Sequence, residues 1–343
     1  MKAFDRIPRR VLGAGIVLGA LYGIVCRAAA QIGGMENVIG VMTVGFLFIV
    51  PVVVGFLTVY PAERPSLAFS LFAPWVPSAL IVLIAAALGW EGAICIVMAS
   101  PVLLLFSSIG GGVAMLMSSR ARRAALPVLL VLPWLTSPLE RHVSRPTRFT
   151  ATETSILVHA PLATLWPLVV SVDSIRPREE GRALFTTMGF PHPISAVLDH
   201  PGVGGVRTAR FTGGLVFTER VSQWEDQHLI RFSIRANTDS IPAKTLDPHV
   251  TIGGPYFDVL TGTYELRFVN ANTTRLVLRS EHRETTPFNL YAGWWADIVM
   301  RSIQQNILEV IRARAERTSR RGARFVEAGG PAAGQPFPKS SGE

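Results

Sequence analysis

The stretch AALPVLLVLPWLTSPLERHVSRPTRFTATETSILVHA, residues 124–160, contains a change of solvent. Its first sixteen residues, 124–139, carry no charge. From Glu140 charged and hydroxyl residues interleave with apolar ones, and Ser155-Ile156-Leu157-Val158-His159 alternates as a strand does. Outward from that point the chain has two compositions. Residues 1–139 carry 13 formal charges, clustered between long apolar runs, whereas 140–343 carry 44. A chain of 343 residues has room for two cores. The division predicts a helical membrane bundle over 1–139, a linker over 140–151, a water-soluble domain over 152–325 and a disordered tail over 326–343, where Gly, Pro and Ser accumulate.

Four runs suit spanning helices: 11–26 extended past Arg27, 37–62, 65–90 and 92–119, the last three without any charge. A span needs ~20 apolar residues, and a central charge costs ~2.5–3.5 kcal/mol. The fifth run, 124–139, is short and holds Pro127, Pro133 and Pro138. Trp134 and the arginines at 120–123 suit anchors at its ends, which brings the expected count to five. Lys2, Arg6, Arg9, Arg10, Arg64, Arg120, Arg122 and Arg123 fall on one side and Arg27 on the other. The N-terminus is therefore expected in the cytoplasm of a multi-pass protein of a bacterial cytoplasmic membrane. Five spans place the soluble domain outside that compartment, four inside it. Glu91, in Trp90-Glu91-Gly92, reads as the turn of a helical hairpin. Gly15, Gly19 and Gly23 form a close-packing face, for use within the bundle or in a homodimer. The N-terminus also resembles a signal peptide cut at Ala28-Ala29-Ala30, but the apolar runs that follow favour a retained span.

The net charge of +9 divides as +5 and +4 between the two parts, so there is no single basic domain. Three lysines against thirty arginines point to a compositional bias, and aromatic interleaving is absent; a nucleic-acid partner is not expected. Cys26 and Cys95 lie in apolar runs without CxxC, and no HExxH-like spacing occurs, so neither a disulfide nor a metal site is expected. The glycines of Pro201-Gly202-Val203-Gly204-Gly205 lead into a strand rather than a helix, which argues against a nucleotide cofactor.

In the second part a short helix follows Pro161, with Leu165, Trp166, Leu168 and Val169 as its apolar face, before a polar loop at Pro177-Arg178-Glu179-Glu180. Strands read at 206–212, 215–224, 228–236, 256–269 and 274–283. Turns at Gly213-Gly214, Glu225-Asp226-Gln227 and Asn270-Ala271-Asn272 separate them. Residues 289–316 form one long helix after Thr286-Pro287. Its periodicity sets Trp295, Val299, Ser302, Ile303 and Val310 on one side and Asp297, Arg301, Gln304 and Arg312 on the other. An amphipathic helix of this length needs a sheet to cover it, which predicts an α+β fold with a curved antiparallel sheet gripping the C-terminal helix. Arg312, Arg314, Arg317, Arg320, Arg321 and Arg324 close that helix, complementing its dipole or meeting a membrane surface.

The entry Ile156-x-Val158-x-Ala160-Pro161-x-x-x-Leu165-Trp166, the strand ending Glu219-Arg220-Val221-x-x-Trp224, the meander and the long final helix resemble START-like, Bet v 1-like (SRPBCC) domains over 152–316. That superfamily includes polyketide cyclases and lipid-transfer proteins. The resemblance implies a helix-grip fold with a cavity for an apolar or amphipathic ligand; no catalytic motif carries over residue by residue.

Strand parity nominates the lining, since alternate residues share a face. Leu276, Leu278, Ser280 and His282 form one set; Leu215, Phe217, Glu219 and Val221 another; then Ile230, Phe232 and Ile234, and Asp258, Leu260, Tyr264, Leu266 and Phe268. Apolar walls with a few polar members are what a small-molecule pocket uses. Glu219, Phe232, Asp258, Tyr264, Ser280, His282 and Trp295 are the candidate ligand-binding residues, against the plainer reading that inward polar groups satisfy loops and strand ends. Phe190-Pro191-His192-Pro193 would frame the mouth. Should Glu219 and His282 converge, they would supply acid/base chemistry to a bound carbonyl compound. The expected function is membrane-tethered binding of a lipid or hydrophobic small molecule. The alternatives are a cyclase- or dehydratase-like enzyme and a non-catalytic sensing or interaction protein.

Overall fold

The computed structural model describes residues 8–33, 35, 40–140, 142–176, 191–237 and 252–327, with side chains to 321. The polar loop expected at 177–180, Phe190 and the tail beyond 327 lie outside the described residues. The chain divides into two compact units. The first comprises residues 1–148, 243–257 and 284–295; the second comprises 149–242, 258–283 and 296–343.

The first unit contains α1 (Arg9–Ala29), a π-helical turn (Gly45–Ile49) running into α2 (Val50–Val59), α3 (Leu67–Phe72), α4 (Trp75–Ala87), α5 (Ala93–Leu116) and α6 (Ser119–Glu140). Among the described residues three helices are long and apolar enough to cross a membrane: Arg9–Ala29, Leu67–Ala87 and Ala93–Leu116. This corrects the expectation of four to five spans. The run 37–62 yields an apolar helix only over Gly45–Val59, about 22 Å at ~1.5 Å per residue against a hydrocarbon thickness of ~30 Å. The run 124–139 belongs to a 22-residue helix that Pro127, Pro133 and Pro138 do not break, but that helix begins Ser-Arg-Ala-Arg-Arg and ends on Glu140. With the span count goes the parity argument that placed the second unit outside the cytoplasm.

Contacts between helix ends show the helices running in alternating directions. Val11 and Leu12 of α1 pack with Phe56 and Val59 of α2, Met117 after α5, and Leu126 of α6. Cys26 and Ala29, at the other end of α1, pack with Val50, Val54, Ile81 and Trp134. Backbones approach closely along two glycine seams. A Cβ on Gly15 would lie 2.1 Å from Thr58 O, one on Gly19 3.0 Å from Val54 O, and one on Gly23 2.2 Å from Ile81 Cδ1. The chain's own helices pack against this face, the use within the bundle that its spacing suggests. Gly55 and Gly110 form the second seam, against Ser107 O at 1.8 Å and Val52 O at 1.9 Å.

Buried polar groups close both ends of this unit. Arg27, 3% exposed, donates through Nε to Glu91 Oε1 at 2.8 Å and through Nη2 to Trp90 O at 2.6 Å. Arg122, equally buried, donates to the carbonyls of Tyr60, Ala62 and Glu63 after α2 and of Met117 after α5. Glu140 accepts from Val44 N and Gly45 N at 2.7 and 2.8 Å, where a carboxylate suits the positive end of a helix.

The second unit is built on a seven-stranded sheet in the order β1-β7-β6-β5-β4-β3-β2. The strands are β1 (Thr147–Val158), β2 (Pro193–Leu198), β3 (Val206–Phe211), β4 (Val216–Glu225), β5 (Leu229–Asn237), β6 (Phe257–Asn270) and β7 (Thr273–Thr285). Helix α7 (Leu162–Val170) follows β1, and α8 (Asn289–Glu327) ends the described chain. The sheet is antiparallel and curls into a half-barrel around the long helix, the helix-grip arrangement. Strand β1 starts at Thr147, inside the segment read as a linker. Strand β2 was not expected; it opens on Pro193 at the sheet edge, where a missing N–H is tolerated. The core joins Ile156, Val158, Leu165, Val169, Val221, Ile230, Phe232, Leu266, Leu276 and Leu278 to Leu308, Ile311 and Ala315 of α8.

The expected phase of α8 needs correction at Gln304, whereas Val310, expected inside, is 1% exposed and Arg301, expected outside, is exposed. Met300, Gln304, Leu308, Ile311 and Ala315 are buried, a stripe at helical spacing, and Gln304 is 1% exposed although its polarity assigned it to the solvent side. Phe268 is 68% exposed, because β6 outruns the core in its last four residues.

Candidate functional site

The second unit buries its expected polar residues in two separate groups. The first begins with the β3–β4 hairpin, whose register pairs Arg207 with Glu219. Both side chains point into the core, at 5% and 8% exposure. Arg207 Nε donates to Glu219 Oε2 at 2.5 Å, and Nη1 donates to Val169 O in the last turn of α7 at 2.9 Å. The carbonyl end of a helix suits a cation. The guanidinium carbon lies 3.9 Å from the Phe232 ring centre and 5.3 Å from that of Tyr264. The two rings meet edge to face at 6.5 Å. Burial alone would lower the pKa of Arg207, but the Glu219 carboxylate and the Tyr264 hydroxyl outweigh it and hold the guanidinium charged. Burial raises the pKa of Tyr264, opposed by Arg207, so at neutral pH the phenol keeps its proton.

A cation, a carboxylate and a phenolic donor set among aromatic rings can orient one oxygen-bearing end of a largely apolar molecule. Within the chain alone the same groups form a satisfied buried ion pair.

The second group lies where β1, β7 and α8 meet. Gln304 Nε2 donates to Thr152 O at 2.9 Å and to Ser280 Oγ at 3.0 Å, while Thr154 Oγ1 donates to Gln304 Oε1 at 2.7 Å. Asp297 accepts from Thr152 Oγ1 and from Arg301 Nε, both at 2.9 Å. Arg301 above all, with Thr152 and the nearby His282 helping against some burial, holds the Asp297 carboxyl below the usual carboxylate range. His282 is fully buried on β7.

The candidates therefore divide. Glu219, Phe232 and Tyr264 come together around Arg207; Ser280 and His282 belong with Gln304 and Asp297. Glu219 on β4 and His282 on β7 are not brought together: β5 and β6 lie between them, ~14 Å along the sheet at ~4.8 Å per strand. Asp258 is half-buried at the start of β6. Trp295 falls in the first unit, half-buried, its ring 4.9 Å from that of Trp294. No group of three or more His, Cys, Asp or Glu side chains among the described residues has a metal-binding arrangement.

Sequence reasoning missed Arg207, yet a signal was present. Counting outward from the Gly213-Gly214 turn pairs 211 with 215, 209 with 217 and 207 with 219, and strand parity then turns Arg207 inward beside Glu219. Gln304 carried no such signal, since a polar residue on an amphipathic helix ordinarily faces water.

No family model matches the chain, and no curated protein matches it in sequence. Solved structures similar to it include a START superfamily protein from Mycobacterium smegmatis, at 10% identity and a TM-score of 0.33, covering 49% of this chain and 98% of that one. The ZhuI aromatase/cyclase from Streptomyces sp. R1128 shares 15% identity at a TM-score of 0.31, over 54% and 100% of the two chains. A conserved protein from Geobacillus kaustophilus shares 12% at 0.31, over 49% and 97%. The neighbours include a START superfamily protein and an aromatase/cyclase. At such scores the likeness carries no argument.

Proposed function

We propose that this chain is a membrane-anchored protein whose second unit holds a lipid or another amphipathic small molecule. The apolar part lies among the side chains between sheet and α8, and the polar end is oriented by Arg207, Glu219 and Tyr264. The observation that carries this reading is the ion pair itself. A guanidinium and a carboxylate at 5% and 8% exposure stand against the aromatic rings of Phe232 and Tyr264, which belong to the hydrophobic core of the unit. Burying such a pair is often no more stabilising than an apolar pair of the same volume, so its presence favours recognition over stability. Apolar helices long enough to cross a bilayer would keep that unit beside a reservoir of amphipathic molecules. Ser280 and His282 belong to the hydrogen-bonded seam of α8 in this reading, and turnover through a Glu219–His282 pair is no part of it.

The test is organic extraction and mass spectrometry of the full chain purified in mild detergent. An amphipath recovered at near one per protein, and lost from a folded Arg207→Met/Glu219→Leu double variant, supports the proposal. Protein that emerges empty and binds no fluorescent fatty acid or phospholipid overturns it, as does a double variant that keeps the same ligand.

A further inference from the structure

The two ends of the helical unit differ in how their charges are used. At the end marked by Cys26, Val50 and Ile81, Arg27 is paired with Glu91, and Glu140 caps the Gly45–Val59 helix. At the opposite end, Val11 and Leu12 of α1, Tyr60 and Ala62 after α2, Met117 after α5 and Ala125 of α6 pack together. That places Arg9, Arg10, Arg64, Arg120, Arg122 and Arg123 at one level of the bundle. Arg122 is buried and donates only to carbonyls in the bonds it makes here. The other five are exposed, and among the described residues no carboxylate lies within ion-pair distance of them.

Their positions do not serve the helices that carry them. Arg9 and Arg10 open α1, Arg120 and Arg123 open α6, and neither helix has an acidic residue in its first turn. Cations at a helix N-terminus oppose the macrodipole. Helix stability therefore does not account for the cluster; the bias of basic residues to one side of a membrane does, and it leaves these guanidinium groups facing an anionic lipid surface. Leu18 and Leu21 of α1, and Leu67 and Phe72 of α3, the helix that follows Arg64, are exposed and suit acyl chains. From these observations we infer that the arginine end of the bundle is a docking surface for the phosphodiester headgroups of anionic phospholipids. Guanidinium forks grip the phosphate oxygens, and the apolar helix faces receive the tails. This surface is separate from the ligand proposed around Arg207.

The full chain, purified in neutral detergent, is titrated with dioleoyl phosphatidylglycerol or dioleoyl phosphatidylcholine, and retained lipids are counted by native mass spectrometry. At about fivefold per basic residue near an anionic surface, retention of phosphatidylglycerol should exceed that of phosphatidylcholine by at least about tenfold and fall with added salt. The variant Arg9→Gln/Arg10→Gln/Arg120→Gln/Arg123→Gln should lose that preference, while Arg207→Met/Glu219→Leu keeps it. Equal retention of the two lipids overturns the inference, as does a folded quadruple variant with the preference intact. Competition by inorganic phosphate at millimolar concentration would also overturn it, assigning the surface to a free anion. Loss of the preference in the Arg207/Glu219 variant alone would overturn it as well, by assigning the lipid to that site.

Discussion

Removing the Glu219 carboxylate alone should cost more than removing both members of its ion pair. In Glu219→Ala the Arg207 guanidinium stays at a position 5% exposed, against two aromatic rings, with Val169 O as its remaining acceptor among the bonds described. An uncompensated buried charge of this kind costs about 3–5 kcal/mol. For a unit of this size each kcal/mol is worth ~2–4 °C, so the melting temperature should fall by roughly 6–20 °C. Arg207→Met/Glu219→Leu removes both charges, keeps most of the volume, and should lie within about 1.5 kcal/mol of the parent. The double variant should then be at least about 1.5 kcal/mol more stable than Glu219→Ala. Hydrogen exchange on the β3 and β4 amides of the full chain in detergent reads the second unit separately from the helices. A Glu219→Ala protein as stable as the double variant would refute the reasoning, since it would mean that the guanidinium finds water once its partner is gone.

Three further outcomes are expected. Gln304→Leu strands Thr152 O, Thr154 Oγ1 and Ser280 Oγ of one seam and should cost about 1–3 kcal/mol, read as faster exchange in β1 with β4 unchanged. Gly15→Ala would set a Cβ 2.1 Å from Thr58 O and should cost about 1–3 kcal/mol by thermal melting in detergent, whereas Gly13→Ala, with nothing within 4 Å, should be neutral or slightly stabilising. Because Asp297 titrates below its unfolded value, the unfolded state binds the proton more tightly; the stability this group contributes is full above about pH 4 and is lost as pH falls through the folded value. Acid unfolding of Asp297→Asn should lack that increment, and an unchanged acid limb would remove the Asp297–Arg301–Thr152 cluster from the account.

The hairpins were legible because turn chemistry and alternation act locally. Gly213-Gly214, Asn270-Ala271-Asn272 and the inward sets of β4, β5 and β7 could be read without knowing the fold. Strand β2 hid behind Pro191 and Pro193, which lower strand propensity but are tolerated at an edge. The spans were overcounted because charge-free length was taken as helix length, and the run 37–62 contains a turn before Gly45 that composition does not reveal. Glu219 and Tyr264 were found by parity, but what surrounds them depends on Arg207, which comes from another strand. The rotation of α8 was misjudged at Gln304 because its partners lie on β1 and β7, and no feature of the helix alone announces them.

The sheet order has a consequence for how the chain is made. Strands β2 to β6 pair with their neighbours in sequence, so each can close soon after it leaves the ribosome. Strand β1 is different: its partner is β7, and its other attachment is α8, where Gln304 meets Thr152 across 152 residues. Synthesis at ~5–20 residues per second leaves β1 without its mate for several seconds or more, and so many intervening residues slow closure further. A nascent or truncated chain stopped before Thr273 would present β1 as an unprotected edge, the place where a chaperone would bind or a second nascent chain would mispair.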